Sequence, residues 1–192
     1  IFANFLATVE ALLGLLGFAF ASALMFAKFS RPTAKIAFSE HALISVRNQK
    51  PILIFFFSYE RNNQIIEASM NLTMMKTEMT LEGERLRTFH DLKLLRSRTP
   101  VFALTWQVVH VIDEDSPLFG LDKNSLALLE PEFVVTFSGV DDTYSQNVYV
   151  RHSYLFDEIL WGRRFEDIFS RNERGLGVID FKKFHQSRVL ES

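Results

Sequence analysis

The side chains of this 192-residue sequence that could do chemistry are few and widely spaced. Its five histidines, His41, His90, His110, His152 and His185, form no HxxxH or HExxH pair that would set two imidazoles on one helical face for a metal. The acidic run Asp113, Glu114 and Asp115 in "IDEDSP" offers oxygen ligands. It lacks the alternating ligand positions and central glycine of a calcium loop. Ordering of a loop is the simpler use of those carboxylates. There is no glycine-rich phosphate loop and no GxSxG, and cysteine is absent, which excludes a thiol nucleophile and a disulfide framework. The expectation is a protein that is not an enzyme and that carries no metal and no cofactor. One cluster of charge is placed to bind: Lys28, Arg31 and Lys35, punctuated by Pro32 in "MFAKFSRPTAK". Amines behind an apolar run suit the anionic headgroups of a membrane surface, and they equally suit plain snorkelling anchors.

The element that positions this cluster is the run in front of it. Between Glu10 and Lys28 the stretch "ALLGLLGFAFASALMFA" carries no charge. About 20 apolar residues suffice for a membrane span. A buried core helix meets the same length rule, whereas a secretory signal has the opposite order, with basic residues before the apolar run and a cleavage site after it. The spanning reading explains more. Positive residues stay on the cytoplasmic side, so everything after residue 35 is expected in the cytoplasm. The "NLT" at Asn71 then has no meaning as a glycosylation acceptor. A net charge of −2 gives no reason to expect nucleic-acid binding.

From residue 37 the pattern changes to strands. "HALISVRN" and "QKPILIFFFSYERN" predict two strands around a turn at Asn48-Gln49-Lys50, with Pro51 at a strand start. In "NNQIIEASMNLTMMKTEMTLEG", Ile66, Ala68, Met70 and Leu72 alternate with Glu67, Ser69 and Asn71, which predicts a half-buried strand. "RTFHDLKLL", "VFALTWQVVHVID", "EFVVTFSG", "SQNVYVRHSYL" and "GVIDFKKF" are each expected to form a further strand. One helix is expected in this part, capped by Asp122 or Asn124, running through "SLALLE" and stopped by Pro131. Many short strands with one helix predict an all-β, immunoglobulin-like sandwich behind a membrane α-helix. The expected division is a spanning helix at 1–30, a tether at 31–36 and the sandwich at 37–192.

The strings "AKFSRPTAKIAFSEHALI", "HVIDEDSPLFGL" and "RHSYLFDEILWGRRF", in that order behind a spanning helix, resemble the inward-rectifier potassium channels, and the prokaryotic branch most. The resemblance implies a homotetramer in the bacterial inner membrane. Inner helices would line a pore for K⁺, and cytoplasmic sandwiches would form a gating vestibule. The filter signature "TVGYG" does not occur in this sequence, so the segment is expected to lack the filter half of such a channel.

Residue by residue, the resemblance implies a cavity and gate at Phe18, Ser22 and Phe26, which a spacing of four sets on one helical stripe. Phe26 would be the constriction, although an apolar residue there also suits a lipid-facing surface. Gly14 matches the inner-helix hinge; Gly14 and Gly17 also suit close helix packing. Lys28, Arg31, Lys35, Arg61 and Arg151 match basic positions tied to phosphoinositide binding or its support. Glu67 and Ser138 match the two vestibule positions that are acidic in strongly rectifying members, and Phe18 replaces an acid in the cavity. With Glu67 alone acidic, polyamines or Mg²⁺ are expected to block weakly. Gly139 and Val140 match the flexible loop at the vestibule apex, where a tight turn is the plainer reading. A competing expectation, from a different class, is a single-span, membrane-anchored sandwich that binds a partner and conducts nothing.

Overall fold

The computed structural model describes residues 2–29, 36–59, 63–171 and 177–190. The chain divides into two compact units, residues 1–34 and 35–192. In the first, α1 runs from Phe2 to Phe29 as one uninterrupted helix, and its segment Phe2–Phe26 is long and apolar enough to cross a membrane. Thr8 Oγ1 donates to the Asn4 carbonyl at 2.8 Å, closing the hydroxyl inside the helix.

The second unit is built from short strands. In chain order they are β1 (Ile36–Phe38), β2 (Ala42–Arg47), β3 (Lys50–Tyr59), β4 (Ile65–Met79), β5 (Arg85–Asp91), β6 (Arg98–Phe102) and β7 (Thr105–Val111). After the short helix α2 (Lys123–Leu129) come β8 (Glu132–Asp141), β9 (Gln146–Leu155), β10 (Ile159–Trp161), β11 (Arg163–Phe165), β12 (Phe169–Arg171), β13 (Gly177–Ile179) and β14 (Ser187–Val189). Asp122 caps α2 by accepting from Ser125 N at 2.7 Å, and Glu130 ends it in the left-handed region just before Pro131.

Two five-stranded sheets form the sandwich. In one, β3 is flanked by β7 and by β2 with β1, and β10 joins β2 in parallel. In the other, β4 and β8 are central, with β9 outside β8 and with β5 and β6 both pairing β4. The β2–β3 hairpin closes through Asn48 and Gln49, both at positive φ, in the turn that the twist of two antiparallel strands favours. Small antiparallel ribbons, β11 with β14 and β12 with β13, complete the unit.

The run "PILIFFFSY" is continuous rather than alternating because β3 is covered on both faces. Leu53, Phe55, Phe57 and Tyr59 point into the sandwich, where Phe57 meets the rings of Phe38, Phe102 and Phe137 at 5.1, 5.0 and 4.4 Å. Ile52, Ile54 and Phe56 point the other way, and Phe56 meets Phe165 and Phe184 at 4.7 and 5.8 Å. Many of the 20 phenylalanines are thereby used in two adjoining cores.

Four strand expectations need correction. In "RTFHDLKLL" the strand ends at Asp91, and Leu94 makes only an isolated bridge to His110. "VFALTWQVVHVID" is not one strand: the chain leaves one sheet at Phe102 and enters the other at Thr105. Leu104, at φ +67, makes the crossing, and its carbonyl accepts from Tyr59 N and Ser58 Oγ, each at 2.9 Å. "GVIDFKKF" is strand only to Ile179, because Asp180 accepts from Lys182 N and starts a 3₁₀ turn. In β4, Ile65 is the buried residue and Ile66 is exposed, since a bulge shifts the alternation.

Candidate functional site

On α1, Phe18, Ser22 and Phe26 lie along one stripe, as a spacing of four requires, and they are exposed like every other described side chain of this helix. Gly14 has no neighbour within 4 Å of the place a Cβ would take. Lys28 is exposed in the last turn. Arg31, Lys35 and Arg61 lie outside the described residues.

On the sandwich, the outward face of the β4–β8–β9 sheet gathers Glu67, Ser138, Val140 and Arg151. Ser138 sits level with Ser69 on β4 and Tyr149 on β9, and Val140 with Ile66 and Asn147. Between those two rungs, Glu67 and Ala68 oppose Gly139 alone. That extra residue is the bulge, and Glu67 occupies it with φ +52. A non-glycine residue there is strained. The bulge sends Ile66 and Glu67 both outward and turns Ile65 and Ala68 into the core. Gly139 and Val140 are ladder residues of β8 rather than part of a loop or tight turn; the hairpin apex lies further on, between Asp141 and Gln146. The glycine itself has a steric reason. A Cβ on Gly139 would stand 2.3 Å from Cγ2 of the buried Ile65 and 3.3 Å from Cα of Ala68.

The hairpin is anchored by a carboxylate that the sequence pattern does not reveal. Asp141 is buried, yet Tyr59 Oη donates to its Oδ2 at 2.9 Å and Asn63 donates to the same oxygen. Its Oδ1 accepts from Thr143 N and Tyr144 N at 3.0 and 3.1 Å. Burial pushes the carboxyl up, and these four donors outweigh it, holding it below its ordinary value. Arg151 faces a carboxylate too: its guanidinium is 3.6 Å from Glu132, which takes Arg87 at 2.7 Å on its other oxygen.

The acidic run has a structural companion. His110 is buried between the Lys93 carbonyl, 2.8 Å from Nδ1, and Ser116 Oγ, 2.7 Å from Nε2, while Ser116 Oγ accepts from Leu118 N. Nδ1 donates and Nε2 accepts, so the neutral ring is the matching form. Burial lowers its pKa, against the opposing pull of the Lys93 carbonyl and Asp113. Among the described residues no group of three or more His, Asp or Glu side chains is arranged to hold a metal ion.

Comparison with known proteins places this arrangement. The model of the inward rectifier potassium channel C-terminal domain matches residues 36–192. The chain belongs to the inward-rectifier potassium channel family. It is 44% identical over 184 residues to the inward rectifier potassium channel Kirbac3.1 of Paramagnetospirillum magnetotacticum, covering 96% of this chain and 62% of that protein. Human inward rectifier potassium channel 4 is 34% identical over 191 residues, covering 93% of this chain and 42% of the relative. Human G protein-activated inward rectifier potassium channel 1 is 33% identical over 183 residues, covering 92% and 36%. The bacterial relative is thus the nearer of the three. The chain spans less than two thirds of the length of each of these inward rectifiers.

Sequence reasoning missed Ile65 as the partner of Gly139, and it missed the Asp141 anchor. A glycine inside an otherwise apolar strand was a usable signal for close packing. The turn bonds of Asp141 to Thr143 N and Tyr144 N are local, but the two side-chain donors that accompany its burial come from 78 and 82 residues away and leave no local mark.

Two outcomes follow from this geometry. Gly139→Ala is expected to destabilise the protein by about 1–3 kcal/mol through overpacking. The loss should shrink in an Ile65→Ala background, which removes the methyl in the way; thermal unfolding of the four proteins in detergent measures it. The second concerns acid. An unfolded histidine takes up its proton near pH 6.5, whereas folded His110 resists until lower pH. Its contribution to stability is complete above that ordinary value and is lost as pH falls through the depressed folded value. Thermal unfolding between pH 7.5 and 5 is expected to show the decline, and His110→Gln, which keeps one donor and one acceptor, to reduce its slope.

Proposed function

We propose that this chain is the inner, pore-lining helix and cytoplasmic gating domain of a tetrameric K⁺ channel of the bacterial inner membrane. The observation that carries the reading is the family match over residues 36–192 directly behind a helix long enough to span a bilayer. No cofactor and no catalytic step are needed, since conduction is passage of the permeant ion. In this reading K⁺ is selected elsewhere in the channel, because "TVGYG" is not among these residues.

Four copies of the Phe18–Ser22–Phe26 stripe would surround the axis, with Phe26 as a dewetting constriction and Gly14 as the bending point. Glu10 supports assembly, because a carboxyl in an apolar span needs a partner that a lone helix does not offer. Glu67 would present a ring of four carboxylates to the vestibule, concentrating cations and holding polyamines or Mg²⁺ weakly. Its strained bulge supports that role: the backbone accepts a costly conformation and keeps a charged side chain there, where glycine would fit without strain. Ser138 and Phe18, both uncharged, leave rectification shallow. Gly139 and Val140 would support this wall as packed strand rather than as a mobile gate.

Lys28, Arg31 and Lys35 would meet phosphoinositide headgroups, each charge contributing about 1 kcal/mol near an anionic leaflet. Arg61 and Arg151 would support that site. For Arg151 the support is structural, since its guanidinium faces Glu132.

Two measurements on the parent channel in liposomes test the proposal. With spermine on the cytoplasmic side, block should be shallow, and Phe18→Asp should steepen it by adding a carboxylate ring in a low-dielectric cavity. Steep block of the unmodified channel would show that the helix stripe is misassigned. Arg31→Gln should shift the phosphoinositide dose–response of K⁺ flux several-fold, equivalent to about 1 kcal/mol, with tetramers intact by mass. Identical curves would make these amines anchors only.

A further inference from the structure

A cavity of about 580 Å³ lies away from the vestibule face, where the C-terminal ribbons stop covering the outer side of the β3 sheet. Three arginines line it. Arg164 on β11 and Arg188 on β14 are direct cross-strand partners, so two positive charges stand level on one narrow ribbon. Like charges placed so are destabilising. Arg47, at the end of β2, reaches the same cavity, and its guanidinium donates to Gln107 Oε1 at 3.0 Å, which fixes its direction. The carboxylates present do not settle the account. Glu166 stands 3.8 Å from Arg188, and Asp167 is turned to accept from Phe169 N at 2.9 Å. Among the described residues neither Arg47 nor Arg164 has a carboxylate within ion-pair distance.

We propose that this cavity is a binding site for a soluble, phosphate-bearing anion, held by Arg47, Arg164 and Arg188. Forked guanidiniums match phosphate oxygens in pairs. The volume lies within the range of small-molecule pockets and exceeds what one phosphate fills, which fits an organic di- or polyphosphate. An anion seated between Arg164 and Arg188 removes the repulsion that the ribbon otherwise carries. The site stands apart from the channel reading, and neither depends on the other.

A lipid headgroup shares this chemistry, so the test has two arms, both on the full-length protein in detergent or reconstituted form. Calorimetric titration with inorganic pyrophosphate should show saturable binding, weakened at least ~10-fold by Arg164→Gln and further by Arg164→Gln with Arg188→Gln. Flotation with phosphoinositide vesicles should be the same for the double variant as for the unaltered protein. Without ligand, Arg164→Gln should unfold at the same temperature or higher, because a repulsive charge has gone; a purely structural arginine would give a lower one. No saturable pyrophosphate binding, equal affinity in the variants, a less stable ligand-free Arg164→Gln, or loss of vesicle binding alone would each overturn the proposal.

Discussion

Burial of β3 on both faces is the constraint that organises the second unit. A strand with side chains packed above and below must have a layer on each side. The β4–β8–β9 sheet supplies one layer, through Phe57 against Phe102 and Phe137. The C-terminal ribbons supply the other, through Phe56 against Phe165 and Phe184. Fully burying an aromatic or aliphatic side chain contributes about 1.5–3 kcal/mol, and β3 does so at nearly every position. The ribbons are otherwise too short to persist in water on their own. They fold because β3 offers them an apolar surface.

This explains what the sequence reveals and what it hides. Where one face is wet, period-two alternation shows, as along Met70, Leu72 and Met74, and the strand is readable. The β2–β3 turn and α2 are readable because their chemistry is local, in Asn48-Gln49 and in Asp122 and Pro131. The run "ILIFFF" marks a doubly buried strand without saying what covers the second face. The ribbons that do so lie more than a hundred residues later, in stretches of three residues with little periodicity. Leu104 is hidden for another reason: leucine carries no turn signal, and only the crossing between sheets imposes its left-handed conformation.

The bulge at Glu67 falls between these cases. Residues 66–72 follow the expected alternation in part, and a one-residue shift at their start exchanges Ile66 for Ile65 in the core. Family resemblance put Gly139 in a loop, because a glycine suggests a turn wherever its neighbours are unknown, and the residue lies within β8. Here the missing side chain is filled space. Ile65 takes it, with the backbone of Ile66 and Ala68 close beside.

Asp141 unites parts that the chain order keeps far apart. Tyr59 ends β3 in one sheet, Asn63 lies just before β4 in the other, and Asp141 itself closes β8 before the hairpin. Both of its oxygens are filled, so no donor can be exchanged for another. The two sheets cannot slide past each other at this end by degrees, because any slip strands a buried charge. The carboxylate therefore acts as a shear pin. Of its four bonds, the one from Tyr59 joins the two sheets, while those from Asn63, Thr143 and Tyr144 hold the approach to β4 and the hairpin turn in place around it.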